Sequence, residues 1–308
     1  MATKIGLPSQ ILQGKTSVGL IVDDISSLPE KIIENFQIEI VKVKLFFPEW
    51  EKFPEKNLYQ FMRETGAHPK TSAPSPGDYL KVYKKLLENY EKILVITLTS
   101  RLSATYSSAR QAKELMPDPS KIEIFDSLLA SAPEGLLAIR ATQLIREGKS
   151  LEEILKALED LRAKAKLFGF LETTYWVEKI GRMSHWQATA FKFLKGFGVL
   201  PIIGIKKGKV GLTGFNFWTK DSLKAVFHQI KHEARKHKIL VGINYTDNIE
   251  LAFKLKEKIE KELKTEVAFI SLAPPIVGAN SGPGTLLAGT LPVEEFLGQI
   301  ASGDTQSA

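Results

Sequence analysis

Four short apolar runs separated by amphipathic stretches constrain the first half of this chain more than any other feature. The runs are Ser17–Val22, the alternating Ile- and Val-rich stretch Ile38–Phe47, Ile93–Leu98 and Ile122–Phe125. Each is too short for a helix and bounded by turn residues, which predicts strands. Amphipathic segments near Gly77–Asn89 and Thr105–Leu115 lie between them, and Pro29, after Asp23-Asp24 and Ser26-Ser27, suits the first turn of a helix. A repeated β-loop-α order implies a parallel sheet with right-handed crossovers. Ligands of such sheets bind at the carboxyl ends of the strands.

The texture changes after residue 150. Ser150 opens a capping box with Glu153, and Leu151, Ile154, Leu155, Leu158 and Leu161 form one apolar stripe, the pattern of a helix packed on a core. Beyond it Leu167–Leu171, Leu200–Ile205 and Val210–Leu212 read as strands, the last two joined by a Lys206–Lys209 turn into a hairpin. Two βα-type strands, Ile239–Asn244 and Val267–Leu272, flank a charged helix at 249–263. The expected architecture is α/β with two domains. Residues 15–164 form an N-terminal parallel-sheet, Rossmann-like βαβ domain, and 165–299 a C-terminal α/β domain with a mixed or antiparallel sheet.

Composition removes several function classes. A chain of 308 residues without cysteine has no disulfide, thiolate metal site, iron–sulfur cluster or cysteine nucleophile. A charged fraction of 25% argues against disorder, and the apolar runs fall short of the ~20 residues of a membrane span. The start, MATKIGLPSQILQGK, lacks an apolar secretory core, so a cytoplasmic location is expected. The net charge of +7 is spread over helix faces of mixed sign such as 256–264, with no aromatic-rich basic strand or recognition helix, so no nucleic-acid partner is expected.

The stock catalytic motifs are missing as well. His228 and His232 stand one helical turn apart but lack an intervening Glu and neighbour Lys231, Arg235 and Lys236, which repel a cation, so no metal site is expected. No G-x-S-x-G elbow, phosphate loop or G-x-G-x-x-G is present. What stands out is hydroxyl and glycine density in four loops, Asp23–Pro29, Thr71–Asp78, Thr99–Ser108 and Gly278–Thr285. Hydroxyls and backbone N–H groups at helix N-termini cradle carboxylates or phosphates, and the same residues serve equally as helix caps and turn formers. An enzyme that binds phosphate or sugar phosphate, of the kinase or phosphotransferase kind, would use such loops too, with Asp23-Asp24 as its acidic element.

Together the loops resemble the DegV family of bacterial fatty-acid-binding proteins. Thr71–Asp78 (TSAPSPGD) resembles the family's T-S-Q-P-S-P-G-D, Thr99–Tyr106 (TSRLSATY) its S-S-x-L-S-G-T-Y, and Gly181–Ser184 with Ala188 its G-R-I-S-x-x-x-A. Weaker echoes are Asp23 with Leu28-Pro29, Asp126-Ser127 with Ser131 and Gly135, and Gly282–Gly284 against H-T-G-P-G. Order and spacing hold from about residue 17 to 292.

The resemblance implies a carrier, not a catalyst, with no cofactor beyond the bound long-chain fatty acid. The acyl chain lies in a tunnel and the carboxylate between the domains, held by Thr71 and Ser103, with Ser72, Ser100, Asn280 and Ser281 as neighbours. A separate fatty-acid kinase receives the acid. Expected tunnel-lining residues are Phe168, Phe170, Leu171, Phe191, Phe193, Leu200 and Ile202. Arg182 and Lys220, with Lys206 and Lys207, form a rim for a partner or for transient contact with a membrane surface. The chain departs from the family at Asn280, where His is usual, at Ser281 for Thr, at Asp24-Ile25 for two serines, and at Phe217–Lys220, where an Arg precedes the Lys. Asn280 can donate a hydrogen bond but cannot carry a proton's charge to the headgroup.

Overall fold

A computed structural model describes residues 16–217 and 221–293. Lys220, with Trp218 and Thr219, lies outside the described residues. The first half contains β1 (Thr16–Asp23), α1 (Glu30–Phe36), β2 (Glu39–Val41), β3 (Lys44–Phe46), α2 (Pro48–Glu51), α3 (Leu58–Thr65), β4 (Lys70–Ser72), α4 (Pro76–Leu86), β5 (Tyr90–Thr97), α5 (Thr105–Glu114), β6 (Ile122–Asp126), α6 (Ala132–Arg146) and α7 (Leu151–Lys164). Strands β2-β1-β5-β6 form a wholly parallel sheet. Successive side chains on a strand point to opposite faces. Ile21, Ile93 and Val95 therefore pack on Tyr79 and Tyr83 of α4, while Leu20, Val22, Leu94 and Ile96 pack on Leu136 and Leu137 of α6 and Ile154 of α7. With both faces covered, the strands read as continuous apolar runs.

The stretch Ile38–Phe47, expected as one strand, is two. β2 joins the parallel sheet, whereas β3 leaves it to pair antiparallel with β4. The break falls at Lys42-Val43, where the Val43 N–H donates to Asp24 Oδ1 at 2.9 Å instead of to a sheet neighbour. Helices α2 and α3 lie between β3 and β4, and their Phe61 and Met62 pack with Phe47 on Trp176.

The second half contains β7 (Lys166–Phe170), α8 (Tyr175–Lys179), α9 (His185–Gly196), β8 (Leu200–Lys206), β9 (Lys209–Asn216), α10 (Ser222–Ala234), β10 (Ile239–Tyr245), α11 (Ile249–Leu263), β11 (Val267–Leu272), α12 (Pro275–Ser281) and β12 (Leu286–Pro292). Its six strands run in the order β11-β10-β12-β7-β8-β9, antiparallel except for the β10–β11 pair. The β8–β9 turn places Lys207 and Gly208 at φ +50° and +78°, the left-handed pair that a two-residue hairpin needs. β12 carries no alternation and ends in proline, so it escapes a periodicity argument, yet it occupies the middle of the sheet, buried at every position. Helices α10 and α11 cover one face of this sheet. Among the described residues no helix is long and apolar enough to cross a membrane.

Helix α6 joins the halves. Its Leu136 and Leu137 share one core with Leu20 and Ile96 of the first sheet and Leu240, Phe269 and Leu291 of the second. The approach is at backbone distance: a Cβ on Gly289 would lie 2.4 Å from Pro133 N, and one on Gly135 2.7 Å from Ser26 O. Buried polar groups fasten the same seam. Ser131 Oγ donates to Asn244 Oδ1 at 2.7 Å, and Asn244 Nδ2 donates to Ser271 Oγ at 2.7 Å and to Ser27 O at 3.1 Å. Removing one member strands the others away from water. Asn244→Ala should therefore lower unfolding free energy by about 1–3 kcal/mol in a urea titration; an unchanged midpoint would mean that the seam does not depend on this network.

Candidate functional site

A cavity of about 310 Å³ lies between the carboxyl ends of β1, β5 and β6 and the inner face of the second sheet. Ile25, Leu98 and Ala130-Ser131 follow those three strands and form one wall; Leu167, Ile203 and Leu287 of the second sheet form the facing one. Thr71–Ala73, Ile276-Val277 of α12, and Val177 and Ile180 from the α8 region close the sides. At the floor, a Cβ on Gly169 would lie 2.8 Å from both Ile203 and Leu287, so only glycine lets those two side chains meet over β7.

The lining also holds polar side chains: Thr71, Ser72, Ser103, Ser131, Asn280, Ser281 and Arg182. Each arrives by local backbone chemistry. In the 71–78 loop, the first residues flank the cavity while Ser75 and Asp78 make a capping box for α4, reinforced by an ion pair from Lys44 to Asp78 at 2.8 Å. That ion pair holds the Asp78 carboxyl well below its usual range. Ser103 precedes the N-terminus of α5, its Oγ 2.8 Å from Thr105 Oγ1. Ser281 returns its hydroxyl proton to Val277 O in the turn before it. The Thr71 and Ser72 hydroxyls and the Asn280 amide make no side-chain hydrogen bond to the described residues, so their donors are free for a ligand. Ser100 is not part of the lining: it is exposed beyond the strand end, its N–H donating to Asp126 Oδ1.

The apolar lining differs from the expected set by strand phase. On β7, Leu167 and, just past the strand, Leu171 point into the cavity; Phe168 and Phe170, one residue out of step, pack in the core under α10 and α11. On β8, Ile203 and Ile205 line the cavity, while Leu200 and Ile202, of the opposite phase, join that same outer core. Phe191 is buried behind the wall against Leu171, Val177 and Ile203, and Phe193 is 65% exposed on the outer face of α9. Of the seven expected lining residues only Leu171 lines the cavity. An aromatic-rich strand attracts attention, but the period of two gives the inner face to its aliphatic neighbours. Ile25 lies in the hydroxyl loop Asp23–Pro29 and Ser131 in a family echo, whereas Leu98 was legible only through the rule that ligands lie at the carboxyl strand ends.

Among the described residues, Arg182 is the only charged side chain in the lining. Asp24, a departure from the family pattern, does not bring a free carboxylate to the site, because its Oδ1 accepts the Val43 N–H. Burial raises the Asp24 carboxyl. Ser131 holds φ +61° and ψ −144°, a conformation that favours glycine, fixed by its hydrogen bond to Asn244. Among the described residues no three His, Asp or Glu side chains gather as a metal would need.

The chain resembles known proteins over most of its length. It is 28% identical over 282 residues to a fatty acid-binding protein of Thermotoga maritima, spanning 87% of this chain and 96% of that one. A DegV family protein from Thermus thermophilus, whose structure is described by its fatty-acid binding, superimposes with a TM-score of 0.80 at 25% identity over 90% of this chain and all of that one. A stearic acid-binding protein from Eubacterium ventriosum, at 22% identity and a TM-score of 0.78 over 89% and 98%, shares the two-sheet fold. The model of the family described as "Uncharacterised protein, DegV family" matches residues 17–291, the span that carries both sheets and every described residue of the cavity wall. The chain therefore belongs to the DegV family.

Proposed function

We propose that this protein binds a long-chain fatty acid, with the acyl chain in the cavity between the sheets and the carboxylate at Thr71 and Ser103, and that it presents the acid to a separate kinase. The observation that carries this reading is an aliphatic cavity whose lining includes the Thr71 and Ser72 hydroxyls and the Asn280 amide, which make no side-chain hydrogen bond among the described residues. The relatives named for fatty-acid binding support it. Burying a methylene is worth about 0.8 kcal/mol, so a C16 chain gains on the order of 10 kcal/mol before ordering costs, against ~1 kcal/mol for each neutral hydrogen bond. The cavity supplies affinity, and the hydroxyls supply orientation. Asn280, Ser72, Ser281 and Arg182 complete the headgroup end.

The carrier reading is supported by the relatives named for fatty-acid binding and by a lining made mostly of aliphatic side chains. The phosphotransferase reading loses its acidic element, since Asp23 is fully buried with both oxygens accepting backbone N–H groups. Access to the cavity has a candidate in α9. Trp186, Phe193 and Phe197 are 69%, 65% and 74% exposed, spaced at one helical face, with Lys192 and Lys195 beside them and no acidic residue between 185 and 196. Aromatic and cationic groups on one face suit a bilayer interface. Arg182, in the cavity lining, stands just ahead of this helix.

Solvent extraction of the purified protein followed by mass spectrometry should yield a C14–C18 acid, or the delipidated protein should take one up; a protein that does neither does not have this function. Ser103→Ala should weaken acid binding about fivefold, the loss of ~1 kcal/mol, by fluorescence displacement. Unchanged affinity would remove Ser103 from the headgroup site. Replacing Trp186, Phe193 and Phe197 together by Ser should slow acid uptake from vesicles while sparing uptake from solution, and equal rates from vesicles would exclude α9 as the contact.

A further inference from the structure

Asp23 ends β1 with its side chain fully buried. Its Oδ1 accepts the Ile25 N–H at 3.1 Å and its Oδ2 the Leu98 N–H at 2.8 Å. Ile25 and Leu98 are both cavity residues, each opening one of the loops at the carboxyl edge of the first sheet; the loop after Leu98 carries Ser103. One carboxylate therefore fixes the departure of two loops that build the site.

Glu134, in the first turn of α6, is also fully buried, within hydrogen-bonding reach of Asp23, and neither of its oxygens receives a donor from the described residues. The Tyr79 hydroxyl and Thr97 Oγ1 are buried nearby, likewise without partners among the described residues. The titratable groups that face the pair from surrounding elements are Asp24 beyond β1, Tyr79 and Tyr83 of α4, and Asp126 of β6. None of them brings positive charge. Asp24 is answered by the Val43 N–H and by Lys42, and Asp126 by the N–H groups of Ser100 and Leu128. Two carboxylates offer each other no donor, so their contact becomes a hydrogen bond only when one holds a proton.

We propose that Asp23 and Glu134 share one proton at neutral pH, Glu134 donating and Asp23 accepting, and that Asp23 held in this way is the positioning residue for the two loops at the fatty-acid site. The positioning half rests on the function proposed above. Burial and mutual repulsion agree with the shared proton: burial pushes Asp23 up to about 7, and burial together with the Asp23 and Asp24 charges drives Glu134 well above its ordinary range. Both groups therefore bind protons more tightly in the folded chain than in the unfolded one. Stability from this source falls as pH rises from the ordinary carboxylate range through 7 and beyond, because the folded chain must give up protons that the unfolded chain has already lost. Loss of the shared proton leaves two facing negative charges behind the loops, loosening them and opposing an anionic headgroup.

Glu134→Gln separates this account from a structural one, since the amide keeps the shape and donates to Asp23 at every pH. The test follows the full chain from pH 6 to 9 by thermal unfolding, palmitate binding and the infrared band of protonated carboxyl groups. The unsubstituted protein should lose thermal stability and about tenfold in palmitate affinity across that range, the effect of a one-unit pKa displacement. Glu134→Gln should flatten both profiles, exceed the unsubstituted protein at pH 9 and lack the protonated-carboxyl band at pH 7. Parallel profiles, or no such band in the unsubstituted protein, overturn the shared proton. Flattened stability with an unflattened affinity profile overturns the positioning role alone. Absence of palmitate binding by either protein at any pH overturns the ligand reading and with it the positioning role, while the stability slope and infrared band still decide the shared proton.

Discussion

The contact of α6 with both sheets is the constraint on which the rest of the molecule depends. Gly289 and Gly135 let the first turn of this helix meet β12 on one side and the loop after β1 on the other at backbone distance, and a methyl group at either glycine would push them apart. With the helix fixed, the carboxyl edge of the parallel sheet faces the inner surface of the mixed sheet across a gap of set width. The cavity is that gap, bounded by residues that each sheet presents and by the segments that close its sides.

The same seam concentrates the buried polar chemistry of the protein. Asn244, Ser271, Ser131 and the Ser27 carbonyl satisfy one another there, whereas Asp23 and Glu134 need a proton to do so. A fully satisfied network rigidifies a core, and a partly satisfied one responds to conditions. Both kinds stand directly behind loops that line the cavity. In the proposed binding, apolar contact sets affinity and the buried hydrogen bonds set geometry, a division that follows from their unequal magnitudes.

Much of this was legible in the chain. Residues 17–22, 93–98 and 122–125 announced a parallel sheet through length and composition, and the 71–78 hydroxyl loop announced the cap that Ser75 and Asp78 make, beside Thr71 and Ser72 in the cavity lining. Three features were not legible, each for a physical reason. Ile38–Phe47 is apolar-rich enough to read as one strand, but a side-chain acceptor, Asp24, takes its Val43 N–H and turns the chain out of the sheet. Leu286–Pro292 lacks periodicity because β12 is covered on both faces, and its glycine, which weakens a strand signal, is there to admit α6. The lining of the second sheet was misassigned because the phase of a strand depends on what covers each face. Phe168 and Phe170 fill the wide space beneath α10 and α11, leaving Leu167, Leu171 and Ile203 to shape a narrow cavity.

Crystals grown from protein purified without delipidation decide whether the gap between the sheets holds an acyl chain. The expected result is a continuous tube of electron density that begins beside Thr71 and Ser103 and runs inward between Ile25, Leu167, Ile203 and Leu287. A cavity filled by ordered water or closed by its own side chains, or a lipid bound elsewhere on the molecule, would contradict it.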